Sequence, residues 1–313
     1  MKGIRIVSTG RALPEKQVSN NDLSQIMDTS DEWIYTRTGI RYRHKCEKEN
    51  ESCVSLAVQA ADCAIQKADI NRDEIGIVIV ATQTPDYIFP SAACLVKQEL
   101  GLGEEVTTFD LSAACTGFLL SLGSARGLLS GMNKKYALVI GSEELSRIMD
   151  YTDRTTCILF GDGAGAAVVE LADNEFSQKS WSRGNIGALS CPGPGAGEAK
   201  LSMNGGEVFK FAVTAMEQGI VEVLEEQNKT LDDIDMVICH QANARIIGHV
   251  QKKHPGHEDK FYINVDRYGN TSAASIPIAL DELFESGRLQ RGMKVVCVAF
   301  GAGLTWSSIY MEI

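Results

Sequence analysis

The sequence predicts an α/β protein with a substantially parallel core, built from two similar halves. Three observations carry this. Nearly continuous apolar runs, as strands buried on both faces produce, alternate with stretches of helical apolar spacing. Short turn-rich links separate them, as in a parallel sheet covered by helices. The second half of the chain then repeats the element order of the first. With 313 residues, 44% of them hydrophobic, the chain can bury one large core or two moderate ones.

Taken in order, "MKGIRIVSTG" lacks the apolar core of an export signal and reads as a first strand. "SCVSLAVQAADCAIQKA" at 52–68 has helical spacing, and "IGIVIVATQTP" at 75–85 is a core strand. "TTFDL" reads as a strand running into the helix "GFLLSLGSARGLLSG" at 117–131, which closes on a glycine. "KYALVIGSEE" at 135–144 is the next core strand. "FGDGAGAA" at 160–167 falls short of a dinucleotide fingerprint: it lacks a clear helix and a suitably placed acidic residue, so close backbone packing is expected. The stretch 172–207 contains "CPGPGAG" and little apolar periodicity, and is expected to be a mobile surface connection. "FKFAVTAMEQGIVEVLEEQN" at 209–228 is a long amphipathic helix, and "MKVVCVAFGAG" at 293–303 a last core strand. The partition is therefore 1–171, a connection at 172–207, and 208–313.

The repeat is specific. "INRDEIGIVIVATQ" is followed about thirty residues later by "SAACTGF"; "KTLDDIDMVICHQAN" is followed at a similar distance by "INVDRYGNTSAAS". Each half then closes on a core strand. Two copies of one unit would put Cys115, His240 and Asn270 at equivalent strand ends, where a doubly wound sheet collects its functional groups.

Composition narrows the partners. A net charge of −11 favours solubility and argues against a general nucleic-acid binder, while leaving room for a local basic patch. No window approaches a membrane-spanning run. Nine cysteines, an odd number without C-x-x-C spacing, read as free cytosolic thiols, so a cytoplasmic location is expected. The five histidines form no H-x-x-x-H, and no metal site is expected.

Among the residues able to do chemistry, Cys115 stands at a strand–helix junction. Unpaired N–H groups and the helix dipole favour thiolate there, and Ala113, Ala114 and Gly117 leave room for a substrate. A packed core cysteine is the alternative, and it is the reading for Cys46, Cys53, Cys63 and Cys297. His240 emerges where "IDMVIC" ends and could be merely hydrogen-bonded; the other four histidines sit among polar residues. Asn270 in "YGNTSAAS" could cap the helix "SIPIALDELF" or donate to an oxyanion. "FGAGLTW" is a tight turn or a source of backbone donors.

The set "TSDEWIYTRTGIRYR", "SAACTGF", "DRTTCILFGDGAGAA", "HQANARII", "YGNTSAASIP" and "FGAGLTW" resembles beta-ketoacyl-acyl-carrier-protein synthase III, a family of thiolase-fold condensing enzymes; the match runs in order along the chain. The resemblance implies a thiolase-like five-layered α-β-α-β-α fold of two duplicated halves with mixed, mostly parallel sheets, usually as a homodimer. It implies acyl-CoA, typically acetyl-CoA, and malonyl-acyl-carrier protein as substrates, with no metal or redox cofactor. By position, Cys115 is similar to the acylated nucleophile, and His240 and Asn270 to the pair serving decarboxylation. The backbone N–H groups of Cys115 and Ala302 correspond to the oxyanion hole. Trp33 and Arg154 correspond to the side chains that sandwich the CoA adenine, and Thr29 and Arg37 to further CoA contacts. Gly205 and Asn243 lie at positions near the pantetheine channel. Phe89 matches a residue that reaches into the partner's acyl pocket. Lys210, Arg245, Lys252 and Lys253 match the basic patch that docks the carrier protein. Two departures stand out. The 172–207 connection is shorter than is common in the family by about ten residues, and Ala302 stands where many members have glycine, which keeps a backbone donor if its φ is negative. The competing expectations are a specialised condensing enzyme of secondary metabolism and an inactive carrier-binding subunit. The His-plus-Asn pair and the lack of an evident second catalytic cysteine weigh against a non-decarboxylating thiolase.

Overall fold

The structure is a computed structural model that describes residues 2–313; Met1, where the expected N-terminal half begins, lies outside them. The first half consists of β1 (Gly3–Ala12), β2 (Lys16–Ser19), α1 (Asn20–Leu23), α2 (Asp31–Thr38), β3 (Tyr42–Lys45), α3 (Cys53–Ala68), β4 (Ile75–Ala81), α4 (Ala92–Glu99), β5 (Thr107–Leu111), α5 (Gly117–Leu129), β6 (Tyr136–Glu143) and β7 (Gly163–Ala172). The second consists of β8 (Phe176–Ser182), β9 (Leu189–Ser190), β10 (Ser202–Met203), α6 (Gly205–Glu225), β11 (Met236–Cys239), α7 (Ala244–Gln251), β12 (Phe261–Tyr262), α8 (Val265–Tyr268), α9 (Ser275–Glu285), β13 (Lys294–Gly301) and β14 (Thr305–Glu312).

The repeat read from the sequence is visible in the strand pairing. One five-stranded sheet runs β1-β7-β6-β4-β5 and the other β8-β14-β13-β11-β12. In each, the first three strands pair antiparallel and the last three parallel. The sheets are thus mixed, two copies of one topology.

Alternation along the strands explains the layers. Ile77 and Ile79 of β4 point to the middle of the molecule, with Phe118 and Leu122 of α5 and Ile276 and Leu280 of α9. Val295 and Cys297 of β13 reach the same middle layer from the other sheet. Val78 and Val80 point outward to Leu56 and Ala60 of α3, while Val296 and Val298 face Met216 and Ile220 of α6. Successive β residues face opposite sides, so a strand covered on both sides must be apolar throughout. Each such Val or Ile contributes about 1.5–3 kcal/mol on burial. The five layers follow: helices, sheet, the α5–α9 pair, sheet, helices.

The connection expected at 172–207 is not only a surface loop. It contains β8, the edge strand of the second sheet, paired along its length with β14. Its sequence, "FSQKSWS", is polar and only partly buried because an edge strand keeps one side toward solvent. β8 is the counterpart of β1 and completes the second copy. The "FGDGAGAA" run is close backbone packing as expected, and it also opens β7. A Cβ on Gly165 would lie 2.6 Å from the Ile278 amide of α9. No helix among the described residues is long and apolar enough to cross a membrane.

Candidate active site

Cys115, His240 and Asn270 line one cavity of about 360 Å³. Cys115 and His240 follow strand ends, β5 and β11, whereas Asn270, expected at a strand end, comes after the short helix that follows β12. Cys115 sits in a 3-10 turn, Ala114–Thr116, between β5 and α5, rather than in the helix proper. His240 follows β11 directly, its amide donating to Val298 O at 2.8 Å. Asn270 follows α8 and is sewn to the first half: its amide donates to Leu159 O (2.8 Å) and its carbonyl accepts from Gly161 (3.0 Å). A Cβ on Gly161 would lie 2.5 Å from Tyr268 O, so the "FGDG" glycine is what lets the two halves close around Asn270.

All three side chains are withdrawn from solvent: Cys115 is 8% exposed, His240 1% and Asn270 6%. Burial pushes the Cys115 thiol up to about 12, with the Ser272 side chain opposing this. Burial thus works against the thiolate expected from the helix end. Burial also pushes His240 down to about 3, so the imidazole is neutral at physiological pH. Its Nδ1 lies 2.6 Å from Ser275 Oγ, which accepts the Gln241 amide hydrogen at 3.4 Å. The serine oxygen can both accept from Gln241 and donate to Nδ1; we assign it as the donor, which puts the imidazole proton on Nε2. Nε2 is buried with no partner among the described residues. Asn270 Oδ1 accepts from the Ser272 amide at 2.9 Å. That leaves the Asn270 NH2 group as the free end. The site thus holds one thiol and two unengaged donors.

The turn after β13 closes on the nucleophile. A Cβ on Gly301 would lie 2.9 Å from the Cys115 amide nitrogen, so only glycine allows this approach. The Thr305 hydroxyl stands 2.9 Å from that of Thr116, pinning the hairpin to the cysteine turn. Ala302 follows Gly301 and is not among the residues with positive φ, as its expected role as backbone donor requires; its side chain does not line the cavity.

At the mouth, Trp33, Arg37, Gly205, Asn243 and Arg245 also line the cavity. Asn243 caps α7 by accepting from the Arg245 amide (2.8 Å) and donates to Arg37 O (3.2 Å) on α2. The expected Trp33–Arg154 sandwich is closed: the Arg154 guanidinium lies 4.9 Å and that of Arg37 4.4 Å from the indole centroid. Inserting a flat heterocycle needs about 7 Å between the two faces, two van der Waals contacts. Arg154 must therefore swing away, leaving its bond to Asp28 O. Thr29 Oγ1 is buried without a partner just before α2. Phe89 is 83% exposed, beside exposed Tyr87 and Ile88, and is not in this cavity. Lys210, Lys252 and Lys253 are exposed on or beside α6 and α7, with Lys253 3.7 Å from Glu217.

Ser275, Ser272, Gly301 and the fully buried Gln241 were not singled out from the sequence. Gln241 bonds β11 to β12 and α8 through Cys239 O, Tyr262 O and the amides of Asn264 and Val265. The available signal was adjacency: Gln241 touches His240 in "CHQAN", and both serines share "NTSAAS" with Asn270.

The neutral His240 makes a stability prediction. Its folded pKa, about 3, lies below its unfolded value, about 6.5. Between those pH values the unfolded chain binds the extra proton, so this group removes roughly 1.4 kcal/mol of stability per unit of falling pH. Urea unfolding of wild type and His240→Asn at pH 7, 5.5 and 4.5 should show a steeper acid loss for wild type. Parallel curves would contradict it.

Two copies of one α/β unit, meeting through a shared helix layer with a cysteine at the junction, place the chain in the thiolase-fold class. Residues 109–183 match the family described as 3-oxoacyl-[acyl-carrier-protein (ACP)] synthase III, and residues 224–313 its C-terminal part. The beta-ketoacyl-[acyl-carrier-protein] synthase III of Clostridium acetobutylicum is 44% identical over all of this chain and 99% of its own. The crystal structure of 3-oxoacyl-[acyl-carrier-protein] synthase III from Aquifex aeolicus VF5 superposes with a TM-score of 0.94 at 41% identity, covering 99% of this chain and 100% of that one. The priming beta-ketosynthase of the R1128 polyketide pathway superposes with a TM-score of 0.93 at 33% identity, covering 100% and 96%. The chain belongs to the 3-oxoacyl-[acyl-carrier-protein] synthase III family, and it is an acyltransferase of the condensing type.

Proposed function

We propose that this cavity joins an acyl-CoA starter, typically acetyl-CoA, to malonyl-acyl-carrier protein, giving 3-oxoacyl-carrier protein, CoA and CO2, the initiating step of fatty acid elongation. The observation that carries the assignment of roles is the convergence of one buried thiol with two unengaged donors, His240 Nε2–H and the Asn270 NH2. In the first half-reaction Cys115 attacks the thioester carbonyl. The backbone N–H groups of Cys115 and Ala302 hold the tetrahedral oxyanion, and CoA leaves. In the second, malonyl-carrier protein loses CO2. The developing enolate oxygen needs donors rather than an acid, and His240 and Asn270 supply them. The carbanion attacks acyl-Cys115 and frees the thiol. The order is ping-pong, and no step calls for a metal or redox cofactor.

Trp33 and Arg154 would take the adenine between them once Arg154 moves, with Thr29 and Arg37 contacting the same ligand. Gly205 and Asn243 would flank the pantetheine arm. We assign carrier docking to Arg245, Lys210, Lys252 and Lys253, supported by their exposure and by the place of Arg245 in the cavity lining of a chain whose net charge is −11. Phe89, exposed with its neighbours, would enter the acyl pocket of a second copy in a homodimer. Nine free cysteines support a reducing, cytoplasmic setting.

The test is product formation from acetyl-CoA and malonyl-carrier protein, followed as 3-oxoacyl-carrier protein and released CO2. Absence of both products with every starter tried would overturn the reading. Arg245→Glu should raise the KM for carrier protein about tenfold and leave that for acyl-CoA nearly unchanged, because it places like charge against an acidic partner. An unchanged carrier KM would put docking elsewhere.

A further inference from the structure

The turn that carries Cys115 is held by a side chain that the steps above do not use. Ala114, just before the cysteine, has a left-handed backbone, φ 47, a conformation that is costly for a residue with a Cβ. Such a turn persists only when its surroundings hold it. One end of the Gln83 carboxamide lies 2.9 Å from the Ala114 amide nitrogen and 3.1 Å from that of Ala113. Two N–H donors converging on one atom require an acceptor, so we assign that atom as the carboxamide oxygen. The Ser112 hydroxyl stands 3.2 Å from the same oxygen. One oxygen thus gathers the three residues immediately before the nucleophile.

Gln83 is itself fixed from behind. It lies just past the end of β4, where the Glu143 carboxylate at the end of β6 gathers the chain. Glu143 Oε2 accepts from the Gln83 amide (3.0 Å), the Thr84 hydroxyl (2.8 Å) and the Thr82 hydroxyl (3.3 Å). The Thr84 hydroxyl in turn accepts from the Glu144 amide (2.8 Å). The backbone that presents Gln83 is therefore anchored, while its side chain lies at the surface. The duplication shows what the contact does. Ser272 opens the equivalent turn of the second half, with φ 49. There the amide of the left-handed residue is taken by the carboxamide two places earlier: Asn270 Oδ1 accepts from Ser272 at 2.9 Å. Two places before Ala114 stands Ser112, whose hydroxyl turns to Gln83 instead. Both copies thus satisfy this amide with a carboxamide oxygen, local in one and brought from the next strand in the other.

We propose that Gln83 is a positioning residue for acylation. By accepting the Ala113 and Ala114 amides it fixes the left-handed turn, and with it the Cys115 sulfur and the Cys115 N–H that holds the oxyanion. The proposal rests on the reading of Cys115 as the acylated residue. Gln83 does not line the cavity, so it acts through the turn. Acylation needs the sulfur and that N–H aimed at one carbonyl, and a misplacement of about 1 Å can cost about 100-fold in rate.

The test is single-turnover acylation of the full chain over a range of acetyl-CoA concentrations, read by intact mass, in wild type, Gln83→Met and Gln83→Glu. Methionine keeps the length and removes the acceptor; glutamate keeps an acceptor at the same reach. The position is exposed, so both variants should fold. Gln83→Met should lower the maximal acylation rate at least about tenfold and leave the half-saturating acetyl-CoA concentration within about twofold. Amide hydrogen exchange in peptides spanning 112–117 should quicken in that variant. Gln83→Glu should stay within about threefold of the wild-type rate and keep the wild-type exchange. A methionine variant with wild-type rate or wild-type exchange, equal loss in both variants, or a loss confined to half-saturation would overturn the proposal. A wild type that takes no acyl group would instead overturn the assignment of Cys115.

Discussion

Replacing Cys115 with alanine is expected to abolish acyl transfer from acyl-CoA, leaving no covalent adduct. Of the nine cysteines, Cys115 alone lines the cavity. Cys53, Cys239 and Cys297 lie in the core at 0% exposure, and burial raises all three thiols, Cys53 and Cys297 to about 12. None can replace a sulfur placed under the Gly301 backbone. The variant should fold, because Ala273 already occupies the equivalent place in the sister turn. A loss of stability of about 1 kcal/mol is the scale for such a truncation. A cooperative unfolding transition shifted by no more than that, with no acylation, would therefore isolate the chemistry. An alanine variant that still becomes acylated would end the assignment.

His240→Ala is expected to divide the two half-reactions. Acylation uses the Cys115 sulfur and backbone donors, so it should survive within a few-fold. Condensation loses one of two donors to the enolate, which typically costs 10²–10³ in rate, about 2.7–4 kcal/mol. Removing a buried ring also leaves a void and strands the Ser275 hydroxyl. Both steps must therefore be measured on one preparation, so that any loss of folded protein cancels. Equal loss of both would contradict the division and point to His240 as a base for the thiol.

The duplicated architecture could be read from the sequence because it rests on local periodicity repeated at similar spacing. Strands buried on both faces, such as β4 and β6, announce themselves as apolar runs. β8 does not, since its polar sequence is that of an edge, and its existence depends on β14 more than a hundred residues away. β7 is obscured by its glycine- and alanine-rich start, which serves the close approach of α9. The same divide runs through the site. Cys115, His240 and Asn270 sit in motifs whose neighbours reveal them. Their electrostatic state does not, because burial of Cys115 and His240 is a property of the closed molecule. Nor does the Trp33–Arg154 contact, which joins residues more than a hundred positions apart. Ser275 beside His240 depends on a contact that only folding creates.

The most direct test of a cysteine-borne acyl intermediate is intact-mass spectrometry of the wild-type chain mixed with acetyl-CoA, followed by malonyl-carrier protein. The expected result is a single acetyl adduct that peptide mapping places on Cys115 and that disappears as 3-oxoacyl-carrier protein forms. An adduct on another residue, or product formed while Cys115 stays unmodified, would contradict it.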